Sequence, residues 1–265
     1  MAAPLRAHSR RRGTVLILLL AVELAGCGSN QYRLPSQPHV PSTVLPYQQA
    51  VEQHYHTVVK NLDQAIHSEE VTLGTDPAFA AGYVRLGGLF FMAGQDQASL
   101  KALETACHLA PRSAADQVVL GQTAAAIGRL TVAQNAYRQA LRFNPGAWQA
   151  WDGLGFLATG RSQYQMAWQD GQSALVAAGE EGPTLDLLGR VLIGEGDMTD
   201  ALRYFADATQ VEPDWWQSYY DKGRAYLALG DVSKARRNFS AALSLDPANG
   251  VVWDALENLH QNRRP

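Results

Sequence analysis

Seven histidines, two cysteines and 25 Asp and Glu residues are the side chains of this 265-residue chain that could do acid–base, metal or nucleophilic chemistry. Their spacing assembles no such site. His54, His56 and His67 are the best metal ligands on offer. Residues i and i+2 on a helix point apart, so these read as solvated histidines, and no metal or other cofactor is expected. Glu69-Glu70 and Glu180-Glu181 read as solvated surface. Gly153, Gly155 and Ala158 have the outline of a dinucleotide loop but follow no strand. No catalytic residue emerges, and an enzyme is not expected. A formal charge of −3 gives no general attraction to nucleic acid.

One cysteine has a different chemistry. Arg6, Arg10, Arg11 and Arg12 precede the apolar run 14–22, which is too short to span a bilayer. A basic start followed by a short apolar run is the order of a signal peptide. It ends at Leu24-Ala25-Gly26-Cys27, which resembles the bacterial lipobox, with Glu23 a departure. The resemblance implies a signal peptide over 1–26 and lipidation of Cys27, so that acyl chains hold the protein at a membrane. Gly28 is not the Asp that signals inner-membrane retention in such lipoproteins. The implied location is the cell envelope, at the periplasmic face of the outer membrane in a two-membrane bacterium. The segment 27–45 carries Pro35, Pro38 and Pro41 and reads as an extended tether reaching roughly 55 Å at about 3.1 Å per residue. Cys107 is then left without an intrachain partner and reads as a small buried hydrophobe.

The elements that position everything else repeat every 34 residues. Gly87, Gly121, Gly155, Gly189 and Gly223 form one series, and Ala106, Ala140, Ala174, Ala208 and Ala242 another. Ser99, Ala133, Ala167, Ala201 and Ala235 form a third, and five of the six residues Pro77, Pro111, Pro145, Gly179, Pro213 and Pro247 are proline. With Trp216 as position 1, Tyr219, Gly223, Tyr226, Ala235, Phe239, Ala242 and Pro247 fall at positions 4, 8, 11, 20, 24, 27 and 32. That pattern resembles the tetratricopeptide repeat (TPR), a helix–turn–helix unit. The resemblance covers 80–249 as five units. It implies an all-α fold, an α-solenoid of TPR units wound as a right-handed superhelix, with helix A at about positions 1–14 and helix B at about 17–30. Gly196-Asp197 and Gly230-Asp231 read as a helix end followed by a capping Asp. The tryptophans fall mostly at positions 1, 4 and 34, which are packing positions.

Departures mark where the stack should deviate. Gln117 and Lys222 are polar at core positions. The third unit has Gly171 where an aromatic is expected, and Gly160 rather than Ser162 is assigned its turn. Looser packing is therefore expected between units three and four, with Trp168 the candidate to fill the space. The segment 46–79 keeps the frame but has no glycine to break it, which predicts one long amphipathic helix or a poorly formed pair covering the first unit. Residues 250–265 predict a capping helix.

Positions 2, 5, 9 and 12 of helix A line one face. In the family this resembles, that face is the concave groove where partner peptides bind. Here it is apolar in the first half (Val84, Phe91, Val118) and polar with aromatics in the second. The candidate groove residues are Gln122, Gln149, Asp152, Phe156, Asp186, Arg190, Gln217, Tyr220 and Arg224. They would suit a protein or peptide with an apolar segment followed by a charged one. Two blander readings stand beside this: Asp186 and Arg190 as a surface i,i+4 pair, and Val84 and Val118 packed on the N-terminal helix. The Lys/Asn set by which some family members clamp a carboxylate is absent. The layout of lipid anchor, tether and stack is similar to the assembly lipoproteins of pilus and secretion systems, either pilotin-like or of the tight-adherence type. A scaffold for cell-wall hydrolases or outer-membrane protein insertion is the alternative, and no oligomeric state is implied.

Overall fold

A computed structural model describes residues 45–247 and 249–261; the leader, Cys27 and residues 28–44 of the tether lie outside them. Among the described residues there are twelve helices and no strand. Helix α1 (Leu45–Thr75) precedes five helix pairs. These are α2 (Ala80–Met92) with α3 (Asp96–Leu109), α4 (Ala114–Ala126) with α5 (Leu130–Phe143), and α6 (Trp148–Gly160) with α7 (Tyr164–Ala178). The last two are α8 (Gly182–Glu195) with α9 (Met198–Val211), and α10 (Trp216–Ala228) with α11 (Val232–Leu245). Helix α12 (Gly250–Gln261) closes the stack. Each pair packs antiparallel and each unit packs on the next, which is the α-solenoid expected.

Every first helix ends on a left-handed residue at position 15. Gly94, Gly128, Gly196 and Gly230 have φ between 73° and 90°, and Ser162 fills the same place with φ 58°. The turn of the third unit therefore belongs to Ser162, and Gly160 is simply the last residue of α6. The next N–H closes the turn: Gln95, Arg129, Gln163, Asp197 and Asp231 donate at 2.7–2.9 Å to carbonyls five residues back. Asp197 and Asp231 then cap the second helix, their carboxylates accepting from the N–H of Asp200 (3.1 Å) and Lys234 (2.9 Å).

The glycine at position 8 sets how closely the two helices approach. A methyl group placed on Gly121, Gly189 or Gly223 would lie 2.6 Å from the ring of Tyr137, Phe205 or Phe239, and on Gly87 2.6 Å from Leu103. Those four large side chains sit at position 24 and are essentially inaccessible to water. The third unit lacks one, since Gly171 stands there. Its space is not loose. Leu187 and Leu188, from the next unit, fill it so closely that a methyl group would lie 2.5 Å away at Gly155 and 2.7 Å away at Gly171. Trp168 packs against the same cluster as Leu187 and meets Tyr204 edge-on with ring centroids 6.0 Å apart.

At the N-terminal end Leu62, Ile66 and Leu73 of the single helix α1 bury against Leu86, Leu89 and Ala102. Glu69 is not solvated surface. It takes a two-point contact from Arg85, Nε at 3.1 Å and Nη2 at 2.7 Å, tying α1 to α2. At the other end Val252 and Leu259 of α12 bury against Phe239 and Ala242. Cys107 is buried in the core of the first two units, and burial pushes its thiol up to about 12, so it is inert as a nucleophile.

Two substitutions of opposite sign test this account. Gly223→Ala gains up to about 1 kcal/mol of helix propensity but drives a methyl group into the buried Phe239 ring. It should destabilise the chain by about 1–3 kcal/mol in urea unfolding. Ser162→Gly removes a left-handed non-glycine residue and should stabilise by about 1 kcal/mol in the same measurement.

Candidate peptide-binding groove

The first helices of successive units, α4, α6, α8 and α10, lie side by side. Between them opens a recess of about 400 Å³, lined by Phe156, Tyr164, Arg190, Ile193, Trp215 and Arg224, among others, with Asp186 and Gln217 also in its wall. Five of the nine candidate residues thus share one recess, because a 3.6-residue period brings positions 2, 5, 9 and 12 to one side. Tyr164 and Trp215 lie off that stripe. Tyr164 is held across Gly194 of the next unit, where any side chain would collide with its ring.

The polar floor differs from what the stripe suggests. Asp152, Asp186, Gln122 and Gln217 are buried, while Gln149, Phe156, Arg190 and Tyr220 are half-buried and Arg224 is exposed. Val84 and Val118 belong to cores between units, with Leu103 and Leu120 for the one and Ala133 and Tyr137 for the other. Among the described residues neither core includes α1. Val84 and Val118 are therefore spent on packing, and the open groove lies mainly in the C-terminal half of the stripe, with Ala125 at its edge.

The buried acids join the units. The Thr184 hydroxyl of α8 donates to Oδ2 of Asp152 on α6 at 2.8 Å, across 32 residues. Ser218 stands at the corresponding place opposite Asp186. Burial pushes the Asp152 carboxyl up to about 8 and that of Asp186 well above the usual carboxylate range. For Asp152 the Thr184 hydroxyl pulls the other way; for Asp186 the charge of Asp221 adds to burial and Arg190 opposes it.

Arg190 and Arg224 converge on a third acid. Asp221 is almost fully buried. It accepts from Nη1 of Arg224 at 2.9 Å and has Nη1 of Arg190 at 3.6 Å. Arg190 therefore bridges to the next unit and is not merely half of a surface pair with Asp186. Its guanidinium lies 5.0 Å over the Phe156 ring, and that of Arg224 lies 5.9 Å over Tyr220. Asp221 falls one residue off the stripe, outside the set that helical spacing picks out. An Asp between Tyr220 and Lys222 in a helix otherwise patterned for packing was the one signal available.

An acid whose pKa is raised on folding keeps its proton longer than the same acid in the unfolded chain. Between 3.8 and about 8 the folded state therefore binds more protons through Asp152, and stability falls as pH rises through that window. Asp186 acts in the same direction. The urea midpoint should decline from pH 4 to pH 8, and Asp152→Asn should flatten that decline. An unchanged slope in the variant would remove Asp152 as its source.

The fold and the recess define a class: an all-helical solenoid with a side-chain-lined groove along its first helices. The tetratricopeptide repeat model matches residues 118–183 and 187–250, and the chain is a tetratricopeptide-repeat protein. It is similar to human tetratricopeptide repeat protein 6, 26% identical over 203 residues, 74% of this chain but only 38% of that protein's length. Among solved structures it superposes on a thermophilic TPR protein of Thermus thermophilus (TM-score 0.63, 16% identity, 69% of this chain and 99% of that one). It also superposes on PilF of Pseudomonas aeruginosa (TM-score 0.55, 17% identity, 71% and 91%). At these identities the structural likeness is one of fold.

Proposed function

We propose that this protein is a lipid-anchored adaptor of the bacterial envelope that holds a partner polypeptide in the groove between α4 and α10. The observation that carries the binding half is the 400 Å³ recess with two guanidinium groups spread over aromatic rings at its wall. Such a surface presents flat apolar area and fixed donors together, which is what an extended peptide needs from a rigid receptor. A partner segment would lay an apolar side chain near Phe156 and Tyr164, and offer carbonyl or carboxylate oxygens to Arg190 and Arg224.

The envelope half rests on the leader and on Cys27, with the tether giving the stack room to reach a partner away from the membrane. Within that reading the layout favours a role in assembling pilus or secretion machinery, at the periplasmic face of the outer membrane.

Cys27→Ser should abolish palmitate labelling and move the protein from the membrane to the soluble fraction. For the groove, Phe156→Ser with Arg224→Gln leaves Arg190 on Asp221, so the fold should persist by circular dichroism. Partners crosslinked to the wild-type protein in native envelopes should be lost. Retention of every one of them by the folded variant would refute the groove.

A further inference from the structure

A second pocket lies on the opposite flank of α6. At 100° per residue, Trp151, Leu154, Ala158 and Arg161 face away from Asp152 and Phe156. Together with α5 and α7 they enclose a slot of about 480 Å³. Its floor is apolar, made by Trp151, Leu154 and Leu157. Three arginines stand at its wall, Arg138 and Arg142 from α5 and Arg161 from the end of α6. Among the described residues no ion pair holds any of the three. Arg142 and Arg161 meet only the side-chain oxygens of Gln139 (3.3 Å) and Gln134 (3.4 Å).

Neighbouring junctions fill this space differently: one unit earlier a smaller recess of about 260 Å³ remains, lined by Glu104, Cys107, His108, Gln117 and Leu120. One unit earlier, Leu100 and Val132 stand where the slot has Gln134 and Met166, and both pack into the core. One unit later, Trp168 and Tyr204 stand in place of Gln134 and Asp170, and their rings meet edge-on. Between the second and third units these apolar pairs are replaced by a glutamine, an acid and a half-exposed methionine, and the recess is larger. The three arginines have no basic counterpart but His108 in either neighbouring junction: their equivalents are Glu104, His108 and Ile127 before, and Gln172, Val176 and Glu195 after. The neighbouring junctions stack without these three arginines.

We propose that this slot docks an acidic segment of a partner polypeptide, with one apolar side chain on the Trp151–Leu154–Leu157 floor and flanking carboxylates on Arg138, Arg142 and Arg161. The positive charge is local, since the chain as a whole is at −3. Charge complementarity therefore selects an acidic partner at this point and nowhere general. Guanidinium forks match carboxylates in two-point contact. Asp170, which also lines the slot and faces Arg138, supplies an acceptor that a peptide N–H can meet and a phosphodiester oxygen cannot. That favours a polypeptide over a phospholipid surface. The slot and the groove open on different flanks of α6 and share Leu157 in their walls, so one unit can hold a segment on each flank.

The test titrates the full chain with fluorescein-labelled Asp-Glu-Leu-Glu-Asp and Lys-Lys-Leu-Lys-Lys, followed by anisotropy at low salt. The acidic probe should bind, weaken with added salt, and lose affinity when its Leu is replaced by Ser. Arg138→Gln with Arg161→Gln should lower its affinity about tenfold with the helical signal unchanged. Phe156→Ser with Arg224→Gln in the groove should leave it unaltered, so a failed groove and a failed slot give different results. Equal binding of both probes, or no loss in the Arg138→Gln, Arg161→Gln variant, overturns the proposal. So does displacement of the acidic probe by phosphatidylglycerol vesicles that bind through the same arginines, which would assign the slot to a membrane. Self-association that the same double substitution abolishes would overturn it in favour of a second copy of this chain.

Discussion

The contact on which this molecule depends is between the backbone at position 8 and a large side chain at position 24. Glycine there brings the two helices of a unit close enough for a buried ring to lie on bare backbone. Everything outward follows from that distance. The units can then stack at a fixed pitch, and the first helices align into a continuous face. The third unit shows that the requirement is for filled volume and not for a particular residue. With Gly171 at position 24, two leucines from the following unit enter the space, and the seam between units becomes as well packed as the interior of either.

Dispersion sets the pitch, but polar groups tie the later units together. Asp152, Asp186 and Asp221 are each buried where one first helix meets the next. The first has a hydroxyl partner from the following unit and the third has two guanidinium groups. Such groups are costly to bury and costlier to leave unmatched, so they fix which unit follows which. Their cost also falls near the groove, the place where charge is useful to a binding surface.

The repeat frame was readable because its signal is a spacing. Gly, Ala and Pro at fixed steps report close approach and chain reversal, both local properties of the residue itself. The capping roles of Asp197 and Asp231 were readable for the same reason. The groove was half readable. Helical period placed Phe156, Asp186, Arg190, Gln217 and Arg224 on one face. Whether each is open or covered depends on how near the next unit sits, which no single helix encodes. Asp152 and Asp186 are covered because α8 and α10 lean over them. Asp221 was passed over because a long guanidinium from a neighbouring helix can reach a residue one step off the stripe. Ser162 was missed because a nearby glycine offered a simpler turn; only the 34-residue step to Gly128 and Gly196 reveals its place.

Arg190 belongs to one unit and Asp221 to the next, so their bond works as a latch across a joint. An incoming anion that recruits Arg190 draws it off that latch, and Asp221 is then left to Arg224 of its own unit. Occupancy of the hollow side and curvature of the spiral thus share a single guanidinium. By reciprocity, anything that bends the spiral at this joint also tunes how firmly the hollow side grips its guest.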